Sequence, residues 1–221
     1  MTTLTPAGTL YEMDLRLRPN GSSGVLVTSI AAFEQYQESE AWTWEHQALS
    51  RARVVYGPHT LVQAFDRVRK RVLSQQRDEA KIRREVEDMR QRMRDHLGSR
   101  PAVSDEPVVV DLKQDSGGLA DIEFIVQYLI LANSFKPPEL FEFTDNVRQL
   151  DAAAKVGVLA EDVAERLRSH YIAYRTTVHR EALQGRGKRL TEDTELAQRR
   201  QDVQAIWHLV FDHDKINEDT P

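Results

Sequence analysis

Apolar positions recur along this chain with two different periods. From Leu10 to Leu17 they alternate, so that Tyr11, Met13, Leu15 and Leu17 share one face of an extended segment and Glu12, Asp14, Arg16 and Arg18 the other. A second apolar run, Val25 to Thr28, follows Pro19-Asn20-Gly21-Ser22-Ser23-Gly24, whose residues suit a tight turn, and the two runs together predict a β-hairpin. Beyond Ser29 the spacing becomes helical. Ser29 is placed to cap a helix running to about Gln37, and a second helix is expected from about Glu40 into Arg53, closed by Gly57-Pro58. Longer helices follow over His59 to Ser74 and Asp78 to Leu97; in the latter Ile82, Val86, Met89, Met93 and Leu97 form one stripe and Gly98 supplies a stop.

Ser99 to Pro107 carries prolines and few large apolar residues, and reads as a linker at a domain boundary. Val108 to Val110 is a short extended segment, after which a buried helix is expected over Leu119 to Ala132 and further helices over Asp145 to Lys155, Ala160 to Leu183 and Thr194 to Phe211. The fold class is therefore mainly α, a helical bundle with a small N-terminal β-hairpin. It divides into residues 1–28, connecting helices at 29–98 and a helical domain at 99–221.

Composition narrows the function more than the fold. With 221 residues and 40% hydrophobic content the chain can bury a core, and a formal charge of -5 gives no reason to expect general nucleic-acid binding. There is no cysteine, hence no disulfide framework or thiolate metal site. The start of the chain lacks the regions of a secretion signal, and the apolar run from Phe124 to Ala132, interrupted by Gln127, is too short to span a bilayer. The default location is the cytoplasm, with no membrane partner.

Three clusters carry candidate chemistry. On the first strand, Asp14 beside Arg16 and Arg18 suits a divalent metal and a polyphosphate, because oxygen ligands hold Mg²⁺ and guanidinium forks neutralise phosphate oxygens. The same alternation also fits the solvated face of an edge strand. In the second cluster Asp111, Lys113, Asp115, Asp121 and Glu123 surround Gly117-Gly118 just before a helix, which suits either a phosphate at the helix start or acidic residues complementing its dipole. The third is Ala41 to Arg53, where Trp42, Glu45, His46, Leu49 and Arg53 share one face and Ala41, Trp44, Ala48 and Ala52 another. This pattern predicts a helix between two layers with its tryptophan pair in the core. His179-Arg180-Glu181 lacks the second histidine of a zincin, and Asp212-His213-Asp214 reads as a solvated tail.

Tyr-Glu-x-Asp-x-Arg-Leu-Arg-Pro at Tyr11 to Pro19, the Trp-Thr-Trp-Glu-His-Gln-Ala-Leu segment within Ala41 to Arg53, and Asp-x-Lys with Gly-Gly-x-x-Asp-Ile-Glu-Phe at Asp111 to Phe124 resemble the glutamine synthetase adenylyltransferase family. The resemblance covers nearly the whole chain and is more similar to the C-terminal, AMP-attaching half of these bifunctional enzymes than to the half that removes AMP by phosphorolysis. It implies that the hairpin is left over from a truncated nucleotidyltransferase α/β core and that the helices after Val108 form a domain shared with uridylyltransferases. It further implies that Asp14 is a metal carboxylate, that Arg16 and Arg18 are catalytic and phosphate-binding, and that Lys113 is a nucleotide contact. Mg²⁺ and ATP are the implied cofactors, and glutamine synthetase and a PII-type nitrogen-signalling protein the implied partners. The alternative is a helical docking or regulatory module for those partners, or part of the AMP-removing half.

One departure bears on activity. The superfamily carries a Gly-Ser turn followed by an Asp-x-Asp strand that supplies two metal carboxylates; here Gly98-Ser99 is followed only by Asp105-Glu106 and Asp111, without that pairing. The expectation is a fragment or truncated product that begins inside the nucleotidyltransferase domain and is inactive alone.

Overall fold

The computed structural model describes residues 8, 24–99, 108–186 and 189–212. Among them the chain runs α1 (Ile30–Ser39), α2 (Thr43–Ser50), α3 (His59–Leu73), α4 (Glu79–Leu97), β1 (Val109–Asp111), α5 (Leu119–Asn133), a 3₁₀ turn at Pro138–Phe141, α6 (Asn146–Lys155), α7 (Glu161–Leu183), β2 (Arg189–Thr191) and α8 (Thr194–Phe211). The fold is mainly α with a small two-stranded β element.

Capping side chains set the starts of α1, α4, α6 and α8. Ser29 accepts from the Ala32 N–H at 3.2 Å, Asp78 from Lys81 at 3.0 Å, Asp145 from Arg148 at 3.0 Å and Asp193 from Leu196 at 2.7 Å, each satisfying an N–H that the helix cannot. Gly98 does end α4, but with φ of -69° rather than in the left-handed region. Its constraint is proximity, since a Cβ there would meet the Arg94 carbonyl oxygen at 2.6 Å.

α5 is the centre of the body. Every residue from Leu119 to Leu131 except Glu123 is buried, because α2, α4, α6, α7 and α8 all pack around it. Ile122, Ile125, Ile130 and Leu131 from α5 meet Val86 of α4, Leu150 of α6, Leu167 and Tyr174 of α7 and Val203 and Ile206 of α8 in one core. Stacking of Trp207 on Phe211, with centroids 4.2 Å apart, seals its end. A smaller cluster, Leu49, Val68 and Val72, holds α2 to α3, with Ile30, Phe33 and Phe65 packed against it.

The described two-stranded element lies further along the chain than the expected hairpin. Residues 10–23, containing the expected first strand and turn, lie outside the described residues, as do residues 100–107 of the expected linker. Val25 to Thr28 is described and forms no strand; Val25, Leu26 and Val27 are largely exposed, with no ladder to hold them extended. The described β pair joins β1 to β2 antiparallel, Val109 facing Thr191 and Asp111 facing Arg189. The extended segment at Val108 to Val110 is thus real, whereas its partner β2 was missed. Three residues ending in Thr191 are too short for a period to register.

Candidate functional site

Asp14, Arg16 and Arg18 lie outside the described residues, so the geometry of the candidate site begins with the 111–123 segment and α2. In the first of these, the acidic groups are engaged. The Asp111 carboxylate accepts from the Lys113 and Gln114 N–H groups at 2.9 and 3.1 Å, and Asp115 accepts from the Ser99 and Asp111 N–H groups at 2.6 and 2.8 Å. Asp121 accepts from Gly117 N–H at 2.6 Å through one oxygen and from Arg90 Nε at 2.6 Å through the other. Glu123 pairs with Arg51 at 3.0 Å and accepts from the Tyr171 hydroxyl at 3.4 Å.

The start of α5 is equally closed. Gly118, Leu119 and Ala120 donate their N–H groups to the carbonyls of Asp115, Leu112 and Lys113 at 2.9–3.1 Å, leaving no cradle of free donors for a phosphate. Gly117 has φ of +77° and any Cβ there would drive into the Arg200 carbonyl, so this turn requires glycine. Arg90 and Asp121 are both essentially inaccessible, and Arg90 also donates to the Gln114 carbonyl at 2.7 Å. Burial pulls the Arg90 guanidinium below its usual range while Asp121 beside it pulls the other way. The pair fastens α4 to the turn before α5. Of the segment's ionisable groups, Lys113 alone is left exposed with a side chain that has no partner among the described residues.

α2 is shorter than expected and turned differently. Trp42 is 71% exposed and Trp44 half-buried, so the tryptophan pair does not form core; the buried positions are Glu45, Gln47, Leu49 and Ser50. The polar side chains are buried because each is matched. Glu45 accepts from the Tyr36 hydroxyl at 2.7 Å and from the Trp42 N–H at 2.9 Å, and Gln47 donates to Gln127 of α5 at 3.1 Å. His46 Nε2 donates to the Gln37 carbonyl at 2.9 Å, and burial lowers its pKa below the usual histidine range, so it is a neutral brace between α1 and α2. At the other end Arg69 of α3 donates to the carbonyls of Leu49 and Ser50 at 3.1 and 2.6 Å and to that of Phe141 at 2.7 Å. One guanidinium thus satisfies the open end of α2 and ties it to the 3₁₀ turn.

Between α1, α2, α3, α4 and α5 lies a half-open cavity of about 540 Å³ whose apolar lining includes Phe33, Trp44, Leu49, Phe65, Met89 and Phe124. Sequence reasoning missed both structural arginines. Arg90 was legible in part: it sits four residues after Val86, on the apolar stripe of α4, where a charge must be paired. Nothing in the sequence marked Asp121 as its partner.

Among the described residues no group of three His, Cys, Asp or Glu side chains is placed to hold a metal, and the carboxylates of 111–123 are taken up by N–H groups and arginines; these residues do not fit a Mg²⁺ site. Nor is any described helix long and apolar enough to cross a membrane.

In sequence, the chain is similar to known nucleotidyltransferases. The family description glutamate-ammonia ligase adenylyltransferase matches residues 1–68, and GlnD PII-uridylyltransferase matches residues 80–209. The bifunctional glutamine synthetase adenylyltransferase/adenylyl-removing enzyme of Hahella chejuensis is 47% identical over 96% of this chain and 22% of its own length. The corresponding enzyme of Pseudomonas aeruginosa is 49% identical over 83% of this chain and 20% of its own length. The chain belongs to the glutamate-ammonia ligase adenylyltransferase family, and its residues 80–209 to the GlnD PII-uridylyltransferase family. It spans about a fifth of the length of these relatives.

Proposed function

We propose that the chain is part of a bifunctional enzyme that transfers AMP from ATP to a tyrosine of glutamine synthetase, and that it comes from the AMP-attaching half. The observation that carries this reading is the likeness to bifunctional adenylyltransferase/adenylyl-removing enzymes along nearly the whole chain. Asp14 is then the metal carboxylate, Arg16 and Arg18 offset charge on the phosphates, and Lys113, exposed and unpaired among the described residues, is available to an anion. Mg²⁺ and ATP are the cofactors, glutamine synthetase and a PII-type protein the partners, and the cytoplasm the site of action. Residues 1–28 contribute to the catalytic core, 29–98 connect, and 99–221 form the helical domain. One carboxylate cannot hold two metals, so the chain alone transfers no AMP.

Calorimetric titration of MgATP into the chain tests the assignment. Weak binding lost in Asp14→Ala and Arg16→Ala supports it; weak binding that survives in both variants removes these residues from the site.

A second reading, a docking module for glutamine synthetase or a PII-type protein, is favoured by the half-open apolar cavity at α2. In a complete enzyme the readings separate. Substituting Asp14 abolishes transfer and spares partner binding under the first, whereas changes in the lining of that cavity, or on exposed faces of α6 to α8, do the reverse under the second.

A further inference from the structure

A separate cavity of about 570 Å³ opens where the end of α7, β2 and the start of α8 meet, and it shares no lining residue with the cavity at α2. Arg180, Arg186, Arg189 and Arg199 line it together with three carboxylates. Those carboxylates are committed. Asp193 caps α8 through the Leu196 N–H at 2.7 Å, Glu195 accepts from Arg199 Nε and Nη2 at 3.1 and 2.8 Å, and Glu181 lies 3.7 Å from Arg186. Arg180 and Arg189 keep guanidinium groups with no partner among the described residues. Tyr174 also lines the cavity; it is only 1% exposed, yet its hydroxyl has no hydrogen-bond partner among the described residues. A buried hydroxyl without a partner is uncommon and marks a place where an acceptor belongs. The first turn of the 18-residue helix α8 forms one wall and adds positive potential.

We propose that this cavity binds a phosphate group carried by a small anion, either inorganic phosphate or a nucleotide. Two unpaired guanidinium forks on different elements and one hydroxyl donor ask for at least three acceptor oxygens. A tetrahedral phosphate offers that number and a single carboxylate does not. The site uses none of Asp14, Arg16 and Arg18 and does not depend on the transfer reaction assigned to them.

The test is a two-dimensional amide NMR titration of the whole chain with sodium phosphate, against sodium chloride and sodium acetate at matched ionic strength. Saturable shifts confined to amides such as Leu190, Thr191 and Leu196 are expected with phosphate only. Arg180→Ala and Arg189→Ala each weaken binding about tenfold. Tyr174→Phe, which keeps the ring and therefore the packing, weakens it about threefold. Arg168→Ala, outside the cavity, leaves it unchanged. A parallel titration with AMP distinguishes the sources: equal affinity means that the phosphate alone is read, and tighter binding means that a nucleotide is the occupant. No saturable shift, the same response to chloride or acetate, or unchanged affinity in a folded Arg180→Ala/Arg189→Ala double variant overturns the proposal.

Discussion

From Ile82 to Phe211 each helix contributes apolar residues to a core centred on α5, while from Val25 to Leu73 the chain is held by the small Leu49, Val68 and Val72 cluster, by polar braces and by Leu73, which alone of this part joins the main core among the described residues. Arg69, Glu45 and His46 do in the front part what Ile122, Leu150 and Val203 do in the body. Exposed apolar side chains occur in both parts, Val25, Leu26, Val27, Trp42, Val55 and Tyr56 in front and Leu183, Leu97 and Leu209 in the body, but in front they flank a much smaller core. Polar braces fix direction at little net gain, since each exchanges a bond to water for one to protein, whereas burial of a large aliphatic side chain contributes about 1.5–3 kcal/mol. The body should therefore be the stable unit and the front part the adaptable one.

The sharpest break of this contrast lies at the fully buried ion pair of the body, Arg90 with Asp121. Arg90→Ala or Asp121→Ala should destabilise the chain by about 3–5 kcal/mol in urea titrations, because each leaves a buried charge without its partner. A loss under 1 kcal/mol would mean that water reaches the pair. Core truncation comes next: Ile122→Ala or Leu150→Ala should cost about 2–5 kcal/mol by the same measurement. Gly117→Ala should cost more than about 1 kcal/mol, since the residue is left-handed and faces the Arg200 backbone, and an unchanged midpoint would remove this turn from the account.

In the front part the effects are smaller and depend on pH. His46 is held below the ordinary histidine pKa by burial, so the unfolded chain takes up its proton first as pH falls. Its contribution is complete above about pH 6.5, the unfolded value, and is lost as pH falls toward the lower folded value. His46→Gln should flatten this part of the stability profile, and an unchanged pH slope would contradict the neutral brace. Smallest of all, Trp42→Ala should stay within about 0.5 kcal/mol, because the ring is mostly in solvent.

The same contrast explains what was legible in the sequence. α4 followed from a long periodic stripe stopped by Gly98, and α5 from an apolar run bounded by Gly118. α2 did not follow, because its spacing supports a longer helix with two apolar faces. The decisive facts are long-range: Arg69 closes the helix at Ser50, and Glu45 and Gln47 find partners in Tyr36 and Gln127. The acidic cluster around Gly117-Gly118 was visible as a cluster, but composition cannot tell a ligand-binding turn from a bracing one. That choice depends on where the N–H groups go, and Asp121 meeting Arg90 across 31 positions decided it.

The central claim is that Asp14, with Arg16 and Arg18, carries chemistry while the helices after Val108 support it. The most direct test is AMP transfer to glutamine synthetase by a complete enzyme of this family carrying Asp14→Asn at this position, with glutamine synthetase binding measured on the same preparation. The account predicts that transfer is lost and binding kept. Transfer at the unsubstituted rate would contradict it.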